Sequence, residues 1–318
     1  MVREARFIRM KLTGLVAATY TPFHADGTLN ADLISPMIDH MIDRGVAGFY
    51  ICGSTGEGES LTLDERKQVA EATVSAAKGR VPVVVQAGHN SIDSACELAR
   101  HAAEVGADAI STLPPTYFKP STPELLMEYI AKVAGSAPDL PYYYYHIPRL
   151  SGVAFDTVNL LKLAKTSVPS FAGIKFSDFF LAEMMACQEF DDGRYDILFG
   201  SDEMILGALA TGAKGAVGSC YGFAAPLWLK IIETFKAGNI EEAQGWMRKA
   251  ARLVRFIAGD PGPFQGCVKQ VIWPMLGFDV GALRLPQPAM DKAAIDQAKR
   301  WLDETRFGEE IVSGNFSL

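Results

Sequence analysis

Four short stretches of the chain combine residue types that could carry out chemistry. The first is Gly53-Ser54-Thr55-Gly56-Glu57-Gly58, a turn rich in glycine and hydroxyls just ahead of a helical stretch. Free backbone N–H groups beside two adjacent hydroxyls suit a carboxylate. The turn lacks the Gly-Lys-Ser/Thr ending of a nucleotide-binding loop, which argues against a triphosphate. The plain alternative is a flexible loop. The second stretch is Tyr142-Tyr143-Tyr144-Tyr145-His146-Ile147-Pro148. On a strand, Tyr143 and Tyr145 face one way and Tyr142 and Tyr144 the other. Tyr145, the last of the run, is best placed to offer its phenol as a proton shuttle. Tyr142 to Tyr144 read as rings that fill a core, and His146 reads as a hydrogen-bonded structural residue.

The third stretch is Ala172-Gly173-Ile174-Lys175-Phe176-Ser177-Asp178. A lysine between apolar neighbours is partly desolvated, which lowers its pKa and exposes a neutral amine able to attack a ketone. A snorkelling or ion-paired lysine is the competing reading. The fourth is a pair, Gly200-Ser201-Asp202-Glu203 and Gly218-Ser219-Cys220-Tyr221. Two acids and several hydroxyls suit a polyhydroxylated ligand, although Asp202 and Glu203 could equally cap a helix. The histidines His24, His40, His89, His101 and His146 never pair at metal-binding spacing, and no Gly-x-Ser-x-Gly turn is present. Neither a metal site nor a serine-nucleophile site is expected.

Such residues need a scaffold that gathers them. Short apolar runs at Leu15–Tyr20, Gly48–Cys52, Val81–Ala87, Ala109–Leu113, Tyr142–His146, Ala172–Phe176, Ile197–Gly200 and Ala216–Ser219 alternate with amphipathic stretches. Among the latter are Leu33–Asp43, Leu63–Ala77, Ser91–Glu104, Pro123–Ala134, Thr157–Ala164, Ala182–Cys187 and Glu203–Thr211. Thr62-Leu63-Asp64-Glu65 has the form of a capping box, and Ser121-Thr122-Pro123 that of a cap followed by proline. Alternating units imply parallel strands, and eight units imply a closed (β/α)8 TIM barrel. An open doubly wound sheet would be expected to carry a Gly-x-Gly-x-x-Gly turn after its first strand, and none is present. In a barrel the four stretches fall at the C-terminal strand ends, where active sites gather. Past residue 225 the strand signals stop, and Leu227–Ala237, Ile240–Ile257, Gln265–Met275 and Met290–Thr305 read as helices. The expected division is a catalytic barrel over 11–225 and a C-terminal helical extension over 226–318.

Bulk properties agree with an enzyme of this kind. The 318 residues are 49% hydrophobic and 21% charged, enough to bury a sizeable core. A net charge of −7, from 37 acids against 30 bases, gives no reason to expect nucleic acid or an acidic membrane as partner. The five cysteines are scattered and odd in number, as suits thiols in a reducing compartment. Cys220 is expected to be packed rather than reactive. The charged opening segment is a poor signal peptide and no apolar run spans a bilayer, so a cytoplasmic location is expected.

Taken together, the motifs make the chain resemble the N-acetylneuraminate lyase and dihydrodipicolinate synthase superfamily of class I pyruvate aldolases over about residues 10–300. The resemblance begins at Ala18-Thr19-Tyr20-Thr21-Pro22-Phe23. It continues through GSTGE at 53–57, YHIP at 145–148, GIK at 173–175 and GSDE followed by GAKGAVGS at 200–219. It implies a homotetrameric barrel in which Lys175 forms an imine with pyruvate and Tyr145 shuttles the proton. It further implies that Ser54 and Thr55 hold the carboxylate. Ser54 would link Tyr145 to Tyr117, which would reach in from a neighbouring subunit. The phenylalanine, serine and aspartate after Lys175, with Phe199-Gly200-Ser201-Asp202-Glu203, look like the neuraminate lyase branch. Ser177, Gly200, Asp202, Glu203 and Ser219 would then bind the substrate's carboxylate and hydroxylated tail.

Dihydrodipicolinate synthases place an arginine five residues after the tyrosine, where this chain has Leu150, with Arg149 one place earlier. Arg149 and Cys220-Tyr221-Gly222 depart from the neuraminate lyase pattern near the sugar end. The expected reaction is reversible cleavage of N-acetylneuraminate to N-acetylmannosamine and pyruvate, with no metal or organic cofactor. A sister pyruvate-dependent lyase, synthase or dehydratase on another hydroxylated 2-oxo acid is the nearer alternative. A catalytically silent ligand-binding barrel is the farther one.

Overall fold

The structure is a computed structural model and describes residues 10–259 and 263–318. Eight parallel strands close into a barrel in sequence order, with β1 also pairing β8. They are β1 Gly14–Ala18, β2 Gly48–Ile51, β3 Val83–Gln86, β4 Ala109–Thr112, β5 Tyr142–His146, β6 Phe171–Phe176, β7 Asp196–Phe199 and β8 Gly215–Gly218. The expected TIM barrel is therefore the observed fold. Strands β1, β2 and β4 are one residue shorter than their apolar runs, and β3 is three shorter. In the run Val81–Ala87, Pro82 has no N–H to give to a ladder, and β3 starts at Val83.

Strand alternation divides the core in two. Inside the barrel lie Val16, Ala18, Tyr50, Val84, Ala109, Tyr143, Tyr145, Ala172, Leu198 and Val217. The alternate residues, among them Leu15, Phe49, Ile51, Val85, Tyr142, Tyr144, Ile174, Phe176 and Phe199, pack outward against the helices. The tyrosine run divides as period two demands. Tyr143 turns inward and its hydroxyl donates to Asp196 Oδ2 at 2.9 Å.

Local signals set the helices. Thr62 and Glu65 form the reciprocal capping box of the helix Leu63–Ala77, with Thr62 N donating to Glu65 Oε2 at 2.9 Å and Glu65 N to Thr62 Oγ1 at 3.2 Å. Thr122 caps the helix Pro123–Ser136. The helix after β8 runs from Tyr221 to Lys236, kinked at Ala224 with Pro226 inside it, so the expected division at 225/226 lies within one helix. Beyond it come the helix Ile240–Ile257, a helical run from Phe264 to Met275 with a π turn at Val268–Ile272, and the helix Lys292–Glu304. A final helix, Phe307–Ser313, was not anticipated.

A buried ion pair fastens this extension to the barrel. Lys269 Nζ lies 2.7 Å from Glu57 Oε1 with both side chains fully buried, and it also donates to Thr21 O at 3.0 Å. Arg284 N donates to Glu57 Oε2 at 2.9 Å, while the Arg284 guanidinium meets both oxygens of Glu65 at 2.6 and 2.7 Å. Such a pair offsets its desolvation only where the remaining donors and acceptors find partners, and here the Thr21 carbonyl, the Arg284 N–H and the face of the Phe23 ring, 4.1 Å from Lys269 Nζ, supply them.

Candidate active site

Lys175 and Tyr145 are register partners on β6 and β5, so their side chains leave adjacent strands on the same face. That face is the barrel interior, near its C-terminal end. Lys175 is 4% exposed, and its Nζ lies 3.8 Å from the centre of the Tyr145 ring and 3.9 Å from that of Tyr50. Burial lowers the lysine's pKa, partly opposed by the nearby Tyr145 phenol and the Asp202 charge. Two rings and, among the described residues, no carboxylate in ion-pair contact favour the neutral amine. Gly173, two residues earlier on the same face, is required by packing, since a Cβ there would come 1.9 Å from Asp196 O.

The loop after β2 supplies the next groups. Ser54 Oγ stands 3.4 Å from Tyr145 Oη, the long end of a hydrogen bond. Gly53 lets the loop lie against the barrel interior, because a Cβ there would come 2.9 Å from the Tyr50 ring. Thr55 Oγ1 is 2.6 Å from Ser219 Oγ at the end of β8, which joins the two hydroxyl-bearing loops.

Asp202 is 7% exposed and performs two tasks. Its Oδ2 accepts from Cys220 N at 2.8 Å, just ahead of the helix Tyr221–Lys236, and no side chain caps the helix Ile205–Ala210 that follows it in sequence. The same carboxyl lines the cavity, and burial pushes its pKa up to about 6 against the Cys220 hydrogen bond. Gly218 gives it room, because a Cβ there would sit 1.8 Å from Asp202 Oδ1. The Cys220 thiol is buried and pushed well up by that burial, as befits a packed residue.

A cavity of about 340 Å³ brings together Ser54, Thr55, Tyr145, Lys175, Gly200, Asp202, Glu203 and Ser219. Arg149 also lines it, with its side chain otherwise exposed. Two expected residues lie outside this group. Ser177 packs against Gly200, where a Cβ would come 2.0 Å from Ser177 Oγ, and its buried hydroxyl has no partner among the described residues. Tyr117 is 78% exposed, stacked edge-on against the equally exposed Phe118, with its backbone N–H held by the Asn90 side chain at 3.1 Å. In a single chain Tyr117 does not line the cavity that holds Lys175. His146 is buried outside the barrel interior, stacked on Phe176 at 5.1 Å, a structural residue.

The sequence reading missed five contributors. Tyr50 packs on Lys175 beside Tyr145, and alternation on β2 could have found it. Gln265 and the apolar residues Val254, Ala258 and Phe264 come from the C-terminal extension and close the cavity from above. No motif marks them. Among the described residues no group of three His, Cys, Asp or Glu side chains is placed to hold a metal ion, and no helix is long and apolar enough to cross a membrane.

A parallel eight-stranded barrel with a buried lysine at the end of β6 and a tyrosine beside it on β5 defines a barrel built for carbonyl chemistry. The chain belongs to the dihydrodipicolinate synthetase family, whose pattern matches residues 11–305. It is 40% identical to an N-acetylneuraminate lyase of Danio rerio over 87% of this chain and 91% of that protein. It superposes on a Proteus mirabilis N-acetylneuraminate lyase with a TM-score of 0.90 and 38% identity, covering 94% of this chain and all of the other. It also superposes on a catalytic-lysine mutant of a Ruminococcus gnavus sialic acid aldolase, with a TM-score of 0.89, 26% identity and 95% and 99% coverage of the two chains.

Proposed function

We propose that the chain reversibly cleaves N-acetylneuraminate to N-acetylmannosamine and pyruvate through an imine on Lys175. The observation that carries this reading is the buried lysine, packed against two tyrosine rings with no ion-pair partner among the described residues, in a cavity that also presents hydroxyls and acids. The neutral amine adds to the C2 ketone, and loss of water gives a protonated imine. Removal of the C4 hydroxyl proton then sends the C3–C4 bonding electrons into the imine, leaving an enamine and releasing the aldehyde. Protonation of the enamine at C3 and addition of water return pyruvate and the free amine. Tyr145 is the group that takes and returns the proton, and its contact with Ser54 gives a relay. The imine itself is the electron sink, so the sequence of steps calls on no cofactor.

The remaining roles follow from position. Ser54 and Thr55 hold the substrate carboxylate, while Gly200, Asp202, Glu203 and Ser219 face its hydroxylated tail. Ser177 supports the tail site from behind Gly200. The exposed Tyr117 and Phe118 suit an interface in a homotetramer, where Tyr117 would complete a neighbour's proton relay. Fold and composition suit a cytoplasmic enzyme. Arg149 on the cavity wall supports a second reading, in which a related hydroxylated 2-oxo acid is the preferred substrate.

Incubation with N-acetylneuraminate, with pyruvate and N-acetylmannosamine both measured, tests the reading. Release of the two in equal amounts supports it. If neither appears but another 2-oxo acid is cleaved or condensed, the lysine chemistry stands and the substrate assignment passes to that compound.

A further inference from the structure

Two residues of the C-terminal extension grip the loop after β2 at two points. Gln265 Nε2 donates to the backbone carbonyl of Ser54 at 2.7 Å, and Lys269, four residues on, binds the Glu57 carboxylate at 2.7 Å. One helical turn separates Gln265 from Lys269, so both side chains leave the same face, and that face meets residues 54 and 57. Glu57 itself sits in the left-handed region at φ 54°, where it ends the loop. The loop's own hydrogen bonds run from Glu57 N to Ser54 O at 3.2 Å and from Gly58 N to Gly53 O at 3.1 Å, and neither uses the Thr55 N–H.

We propose that Gln265 is a positioning residue for 2-oxo acid binding: by holding the Ser54 carbonyl it aims the Thr55 N–H at the substrate carboxylate. A trans peptide unit is planar, so the carbonyl of residue 54 and the N–H of residue 55 point in opposite directions. Fixing one therefore fixes the other. Gln265 also lines the catalytic cavity, on the side that the extension closes. The buried Lys269–Glu57 pair keeps the turn that carries Gln265 in register with the loop. The C-terminal segment thus belongs to the carboxylate site although it supplies none of the reacting groups.

The inference rests on the reading of residues 54 and 55 as the carboxylate site, and the test separates the two. The rate of borohydride trapping on the enzyme is compared for pyruvate and for acetone, a ketone of similar size without the carboxylate. In Gln265→Leu, and in the shape-preserving Gln265→Glu, whose ionised carboxylate cannot donate, the pyruvate-to-acetone preference should fall about tenfold, the worth of one well-placed hydrogen bond to a charged group. Acetone trapping should stay within about twofold of wild type. A matching loss for both ketones would mean a general structural defect and overturn the proposal, as would an unchanged preference. The double variant Ser54→Ala/Thr55→Val reports on the loop itself. If it lowers the preference and the Gln265 variants do not, only the role of Gln265 fails. If it leaves the preference unchanged, the loop is not the carboxylate site and both readings fall.

Discussion

Two lysines lie buried in this protein, and the contrast between them separates catalysis from architecture. Lys175, at the barrel mouth, is 4% exposed and rests against the rings of Tyr50 and Tyr145. Lys269, at the seam between barrel and extension, is fully buried and bound to Glu57 and to the Thr21 carbonyl. Burial lowers the pKa of both. The difference lies in the partner. A carboxylate at 2.7 Å keeps Lys269 an ammonium ion and spends it on holding two parts of the chain together. The aromatic rings offer Lys175 a weaker, non-ionic attraction, so the amine can give up its proton and attack carbon. Desolvation alone does not make a nucleophile.

The largest effect that would sharpen this contrast comes from Lys175→Ala. Turnover should vanish while the thermal unfolding curve stays close to wild type, and retained activity would remove Lys175 from the mechanism. Tyr145→Phe is next, with an expected loss in kcat of about 10²- to 10⁴-fold, larger than any rise in KM. An unchanged kcat in steady-state assays would take the shuttle away from Tyr145. Lys269→Met should act in the opposite sense. It leaves the Glu57 carboxylate buried and unpaired, at a cost on the order of 3–5 kcal/mol measured by denaturant unfolding. The double variant Lys269→Met/Glu57→Gln should recover part of that loss, and no recovery would show that the pair itself is not the source.

Smaller effects come from pH. Bonding to Arg284 holds the Glu65 carboxyl down at about 2, against an ordinary 4.5. Because the folded value is the lower one, this seam contact stabilises fully above pH about 4.5 and is lost as pH falls toward 2. Its contribution, roughly 2 kcal/mol or less, should disappear from the acid unfolding profile of Glu65→Gln. At the mouth the shift runs the other way. Asp202, raised to about 6, carries its charge only above that pH. Affinity for a hydroxylated tail that donates to it should therefore rise as pH rises through about 6, by a few-fold. Asp202→Asn should flatten that limb of the KM profile; a persistent limb would assign it to another group.

The barrel mouth was legible in the sequence because its signals are local. Tyr145 follows from alternation along an unbroken run, Lys175 from its apolar neighbours, and Ser54 and Thr55 from a glycine-rich turn. Each needs only a few residues of context, and a shared strand end brings them together. The seam was not legible, because its contacts join positions far apart in the chain. Nothing near Gln265 or Lys269 announces a partner some two hundred residues earlier. Glu57 was visible only as the end of a motif, not as a buried anion. Tyr117 falls between the two cases, since its side chain is exposed and does not line the cavity of its own chain. Ser177 illustrates a subtler limit: proximity in sequence to Lys175 put it at the right strand end, but Gly200 stands beside it.

The contrast between the two lysines is tested most directly by borohydride reduction in the presence of N-acetylneuraminate as the sole keto acid, followed by peptide mass spectrometry. A pyruvyl adduct on the peptide carrying Lys175, with the peptide carrying Lys269 unmodified, is the predicted result. An adduct on Lys269 or on another lysine, with Lys175 untouched, would contradict it.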